Sequence, residues 1–407
     1  MIPAAGSDKA IREGVRDMKK AIMILLAAML LLASAALAEN TVTDLSGEGY
    51  DCLYYQCTLP DGRVILTGWK SAPGNWQDSR ARILCLNPDT TASWEYVDPA
   101  EGCCGYIKAA VLENGMIGVV FEDAPDQELA ERKLKFFTAD GTPAGKEIDL
   151  TIPDGLIDGV TASCIWLRGY GSSRFFDWEG REIFRTADGQ DLPGGCDWMG
   201  ETDDGLVFAG CTSEENAALI LKLDFRGELM WKTALPARDL PGVEGANLTD
   251  CIRTEDGGYV AQLVEYGSEI SAYRSLVRFS ADGRLLWRNE DVFERCQEMW
   301  LNGLAVHNGR IVAEILGSGD EYGMDAVGTY LWLDGEGSLL GTTEYDMKDV
   351  ELPGKPQGKG ANTEISSCRL ISTRDGLWSL GAVETESDSN GEALDSVDYF
   401  LVKLPEL

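Results

Sequence analysis

A single histidine and eleven cysteines with no Cys-x-x-Cys among them narrow the chemistry open to this chain. His307 stands directly before Asn308-Gly309, a dipeptide that makes tight hairpin turns, so it reads as a solvated turn residue rather than a general base. Without a Gly-x-Ser-x-Gly elbow, Ser-His-Asp catalysis would have to rest on that hairpin histidine. A structural zinc site would need closely spaced Cys and His, and no metal site is predicted. Cys103 and Cys104 are vicinal. Neighbours on a strand point to opposite faces, so one of the pair is expected inside and one outside.

Carboxylates are abundant instead: 68 Asp and Glu against 35 Lys and Arg, a net charge of −33. Such a surface repels nucleic acid and anionic membranes. Two facing carboxylates would suffice for a carbohydrate hydrolase or lyase, but so many acids single out no pair. The runs Asp320, Glu321, Asp325 and Asp388, Asn390, Gly391, Asp395 lack the spacing of a calcium loop and read as solvated acidic loops. The candidate binding residues are aromatic and basic: Trp69 and Trp76 around Ser71-Ala72-Pro73-Gly74-Asn75, Tyr322 in the run 318–325, and Lys355 and Lys359. Exposed Trp and Tyr make interface anchors or sugar platforms.

The elements that must position these residues recur along the chain. Residues 247–291 read as four short strands with turns at Asp256-Gly257 and Asp282-Gly283, an antiparallel meander. The first turn recurs at Asp61-Gly62, Asn114-Gly115, Asp204-Gly205, Asn308-Gly309 and Asp375-Gly376. The second recurs at Asn87-Pro88-Asp89, Asp140-Gly141, Glu179-Gly180, Arg226-Gly227 and Glu336-Gly337. Gly205 to Gly257 and Gly257 to Gly309 are each 52 residues apart, near the period of a four-stranded propeller blade. The third unit is short and lacks its first Asp-Gly turn, with Gly169-Tyr170-Gly171 between its second and third strands. Counting it predicts an all-β fold, a single propeller of about seven four-stranded antiparallel blades.

The last unit ends with Tyr399 to Leu404, a third strand with nothing after it to supply a fourth. Because an open edge invites aggregation, residues Thr41 to Leu45 are expected to close the ring as the outermost strand. Cys52, Cys57, Cys104, Cys251 and Cys368 fall near the innermost strands, where a small apolar residue suits tight packing near the axis. The two hairpins of each blade must share one face, leaving the longer, more varied loops on the other. The candidate residues belong there, since function concentrates on loops held by a rigid scaffold.

Four residues past the second-turn glycine, or past the equivalent Thr90, stand Trp94, Phe184, Trp231 and Trp287, with Gly145 and Gly341 as exceptions. A third strand such as Ile220-Leu221-Lys222-Leu223, then Leu229-Met230-Trp231, resembles the repeats of bacterial quinoprotein-like propellers. The resemblance implies a propeller with tryptophan-docked blades. It does not carry over a cofactor, because no motif for a calcium-bound quinone is present, and none is expected.

Ahead of the repeats, Lys19-Lys20, an apolar run from Ala21 to Ala35 and Ala36-Leu37-Ala38 have the order of a secretory signal with a small-x-small cleavage site. The apolar run is shorter than the roughly 20 residues of a spanning helix. Residues 1–38 are therefore expected to be a signal peptide, with 1–17 an extension before the natural start at Met18, and 39–407 the propeller. A secreted or surface location without stable membrane insertion follows. The function expected is non-catalytic binding or scaffolding, with an envelope or extracellular protein or glycan engaged on the loop-rich face. A carbohydrate-active enzyme is the alternative.

Overall fold

The computed structural model describes residues 42–45, 51–72, 75–100, 102–123, 131–150, 155–169, 172–186, 192, 195–212, 216–267, 270–289, 299–317, 327–346, 362–387 and 393–407. Their regular structure is entirely strand. The first strand is β1 (Val42–Asp44). Blade 1 is β2 (Asp51–Thr58), β3 (Val64–Ala72), β4 (Asn75–Leu86) and β5 (Ala92–Val97). Blade 2 is β6 (Cys104–Val111), β7 (Ile117–Asp123), β8 (Glu131–Phe137) and β9 (Pro143–Asp149). Blade 3 is β10 (Leu156–Val160), β11 (Ile165–Gly169), β12 (Ser172–Phe176) and β13 (Glu182–Thr186). Blade 4 is β14 (Gly195–Thr202), β15 (Gly205–Cys211), β16 (Ala218–Leu223) and β17 (Leu229–Leu235). Blade 5 is β18 (Gly245–Arg253), β19 (Tyr259–Gly267), β20 (Ile270–Phe279) and β21 (Leu285–Asn289). Blade 6 is β22 (Met299–His307), β23 (Arg310–Gly317), β24 (Val327–Leu333) and β25 (Leu339–Asp346). Blade 7 is β26 (Asn362–Thr373), β27 (Gly376–Ser387) and β28 (Ala393–Lys403), with β1 as its fourth strand.

Every sheet is four-stranded and antiparallel, a meander in blades 1 to 6 and a three-stranded meander completed by β1 in blade 7, which is the seven-bladed propeller expected from the repeat. The hydrophobic core is divided into seven clusters, each shared by two adjacent blades. One joins blades 7 and 1 through Leu53, Leu66, Leu380 and Leu401, and another joins blades 4 and 5 through Val207, Ile220, Leu248 and Val277. Strands β7, β15 and β23 carry near-continuous apolar runs because both faces of a blade are covered.

The ring closes through β1. Val42, Thr43 and Asp44 pair with Val402, Leu401 and Phe400, and the Leu45 N–H donates to Tyr399 O at 2.9 Å. Leu45 is buried in the cluster between blades 7 and 1. Its carbonyl accepts from Arg82 Nη2 at 3.0 Å, and Arg82 is itself held by buried Asp51 and by Glu95.

The second turn of each of blades 1 to 6 has one design. The segments 87–91, 138–142, 177–181, 224–228, 280–284 and 334–338 have the same length, and each folds back on itself through paired backbone hydrogen bonds. A side chain at the first position helps: Asp224 Oδ1 accepts from the N–H groups of Arg226 and Glu228 at 2.9 and 2.8 Å. The fourth residue is left-handed, glycine in blades 2 to 6 and Thr90, φ 66°, in blade 1.

The outer-strand aromatics then dock on the turn of the following blade. The Trp94 indole covers Gly141 and donates to Ala139 O at 3.1 Å; Phe184 covers Gly227, and Trp231 covers Gly283. Trp287 covers Gly337 and donates to Gly335 O at 3.1 Å. The exceptions at Gly145 and Gly341 are made good differently. Ile148 meets Gly180, Leu407 packs on Gly341, and at the closure Thr43 Oγ1 bonds Thr90 Oγ1 at 2.7 Å.

His307 corrects one expectation. It is 2 % exposed rather than solvated. Nδ1 bonds Ser372 Oγ at 2.9 Å, Nε2 meets Glu406 Oε1 at 3.1 Å, and its ring stands edge-on to Trp332. The neighbouring blade and the chain's last residues close over the hairpin, which a local turn signal does not show.

Candidate functional site

Strand order within a blade determines where the loops go. First and third connections emerge on one face, second and fourth on the other. On the first face, the second-turn segments above share one length, and the first turns are all short, from two residues at 203–204, 308–309 and 374–375 to five at 59–63, 112–116 and 254–258. On the opposite face, the connections run from 170–171 to 347–361.

Two buried acids pin the connections of that loop face. Asp98, between blades 1 and 2, accepts from Tyr106 Oη at 2.6 Å, Lys135 Nζ at 2.7 Å and the Ala100 N–H at 3.0 Å. Burial alone would raise its carboxyl, but these donors outweigh it and hold Asp98 below the ordinary value. Glu265, 1 % exposed, takes Arg238 Nε at 2.6 Å and Arg288 Nη2 at 2.7 Å. Around that pair, Tyr266, Tyr273 and Leu240 are exposed, and the Arg238 guanidinium lies 5.2 Å over the Tyr273 ring. Nothing in a polar loop of blade 5 marks these two tyrosines as exposed. Only their register at the open end of β19 and β20 does.

The second concave feature is axial. Each innermost strand carries a register shift that skips one residue: Gln56, Ile107, Asp158, Asp197, Asp250, Asn302 and Cys368. These bulges recur in all seven blades, and five of the skipped residues are polar. Where their side chains are described, two reach the next blade alike. Gln56 Oε1 accepts from the Ala109 N–H at 3.1 Å, and the Asp250 carboxylate accepts from the Leu304 N–H. Each recipient lies two residues past the next bulge, so the polar bulges stitch neighbouring inner strands together. Asp250 adopts a left-handed φ of 37° to do this.

Inside the ring of bulges lies a cavity of about 470 Å³. Its walls come from β2, β6, β10, β14, β26 and β27, with Tyr54, Gln56, Lys108, Asp158, Trp198 and Arg369 among the lining side chains. Asp158 is paired with Arg168 at 2.6 Å, and Arg369 Nη1 donates to Asp250 Oδ1 at 2.9 Å. Burial raises the Asp250 carboxyl, with Arg369 pulling the other way. Burial lowers the Lys108 ammonium, opposed by Asp158 and reinforced by Arg369. Among the described residues no cluster of three or more His, Cys, Asp or Glu is arranged to hold a metal ion.

Of the residues singled out in the sequence, Trp69 lies within β3, half-buried. Its ring packs on Gly105 of blade 2 and stands edge-on to Tyr54 at 6.1 Å. Trp69 thus backs a wall of the axial cavity. Trp76 falls in β4, with its side chain outside the described residues, as are Tyr322, Lys355, Lys359 and the acidic runs 318–325 and 388–392. Cys52, Cys57, Cys104 and Cys251 lie on innermost strands as expected. Cys104 is buried, while Cys103 is half-buried.

No protein-family model and no curated protein matches this chain. Solved structures resemble it in fold. A DUF4221 family member from Bacteroides vulgatus is 12 % identical over 74 % of this chain and 92 % of its own, with a TM-score of 0.36. A Bacteroides caccae protein of unknown function is 15 % identical over 81 % and 97 %, with a TM-score of 0.29. The β-propeller domain of the Trilobed protease from Pyrococcus furiosus is 10 % identical over 88 % and 98 %, with a TM-score of 0.46, and is described as having an open velcro topology. Here β1 pairs with β28.

Proposed function

We propose that this protein is a non-catalytic, exported binding propeller that engages a protein or glycan partner through its loop-rich face. The observation that carries this reading is the asymmetry between the faces: one is made of turns of two to five residues, while the other has connections of two to fifteen residues and exposes Tyr266 and Tyr273, with Arg238 over the Tyr273 ring. Rigid aromatic rings beside a guanidinium suit both protein anchors and sugar faces. Export rests on the apolar run Ala21 to Ala35 and the Ala36-Leu37-Ala38 site. The test is capture of partners from the native envelope and medium, together with a glycan panel, using the unaltered protein and a Tyr266→Ala, Tyr273→Ala double variant. Partners retained by the first and lost by the second support the reading. Equal capture by both overturns it.

A further inference from the structure

The axial cavity carries a charge pattern that runs against the rest of the molecule. In a chain with net charge −33, two cations, Lys108 and Arg369, line one cavity of about 470 Å³. The described carboxylates beside them are engaged. Asp158 is engaged by Arg168, and Asp250 by Arg369. Among the described residues those two pairs balance, and Lys108 is left with no carboxylate bonded to it.

Lys108 is half-buried, and no described residue gives it a hydrogen bond or an ion pair. Arg369 makes one described hydrogen bond, to Asp250, and its side chain is 34 % exposed, so most of its five donors remain for the cavity. The Gln56 carbonyl oxygen is committed to Ala109, which leaves its amide nitrogen as a donor. A partly buried cation with no carboxylate bonded to it is costly unless an anion completes it. Burial biases Lys108 against carrying its charge; Asp158 opposes this, Arg369 adds to it, and the balance stays on the side of burial.

The walls define the rest of the ligand. Tyr54 is 48 % exposed and is backed by the Trp69 ring. Trp198, Met199, Ile107 and Val160 complete an apolar lining. The volume falls in the range of small-molecule sites, about 300–1,000 Å³, well beyond an inorganic ion. We infer that the propeller axis is a binding site for a small organic carboxylate, with its anionic group on Lys108 and Arg369 and a compact ring body against Tyr54 and Trp198.

The site stands independently of the loop face, and its test leaves Tyr266 and Tyr273 untouched. Calorimetric titration of the full protein with benzoate and D-glucuronate, against benzamide and D-glucose, should show binding of at least one acid but not of its neutral counterpart. Lys108→Met should weaken that binding by roughly tenfold to a hundredfold, the loss of a charge-assisted contact, while Lys108→Arg should keep most of it. In the unaltered protein, the bound acid should shield Lys108 from an amine-acylating reagent, read by mass spectrometry. This second measurement decides the matter if the variants fold poorly. Binding by neither acid, equal binding of acid and neutral partner, undiminished binding by Lys108→Met, or no shielding of Lys108 would each overturn the assignment.

Discussion

Lys135 and Asp98 show how a single pair sets the balance at a blade junction. Asp98 is 3 % exposed and Lys135 14 %, so removing the amine strands a carboxylate that only Tyr106 and the Ala100 N–H still serve. Lys135→Met should cost about 3 kcal/mol at neutral pH, measured by denaturant unfolding. The pH dependence follows from the sign of the shift. In the unaltered protein the folded value lies below 3.8, so the stabilisation is complete above 3.8 and lost as pH falls through the folded value. In the variant, burial prevails and the folded value rises, so the deficit should shrink on acidification as Asp98 takes up a proton. A deficit constant with pH would show that Lys135 acts through packing alone. His307 teaches the same lesson from the sequence side. Its place before Asn308-Gly309 was legible, whereas its burial under Ser372 and Glu406 was not, because both partners lie far along the chain.

The second-turn element joins blades as well as strands. Its glycines have two reasons to be glycine, a left-handed φ and a ring against the α-carbon, and the two are separable. Gly115, in a first turn, has φ 77° with nothing within 4 Å of where a β-carbon would sit, whereas at Gly283 of a second turn, φ 79°, that carbon would lie 2.4 Å from the Trp231 ring. Gly115→Ala should therefore cost about 1 kcal/mol for the backbone alone. Gly283→Ala should cost about 1–3 kcal/mol more as the indole is displaced. Equal losses in thermal unfolding would mean that the docked indole moves aside freely. Turn position and ring spacing were both visible in the sequence. Which ring met which turn was not, since the contact crosses from one blade to the next. The inner-strand bulges were hidden for a related reason: a skipped residue such as Gln56 or Asp250 leaves no turn signature, and shows only when its strand is paired.

For the whole molecule, closure is the decisive event. β28 would be an open edge without β1, and Leu45 ties that strand to blade 1 through Arg82. Deleting residues 39–46 removes three paired residues and one buried leucine. It should cost about 2–4 kcal/mol and promote self-association through the bared edge, read as a lower melting temperature and a concentration-dependent sedimentation profile. Unchanged melting and a monomeric profile would show that the edge needs no partner. The ring itself was determined by sequence: a period near 52 residues and Asp-Gly turns leave few alternatives, because turn chemistry and alternation are local. Which residues face the axis was decided only by tertiary structure. Lys108, Arg369 and Tyr54 belong to three strands of blades 2, 7 and 1, and no spacing along the chain relates them. The closure that brings the first and last blades side by side also gathers them around one cavity.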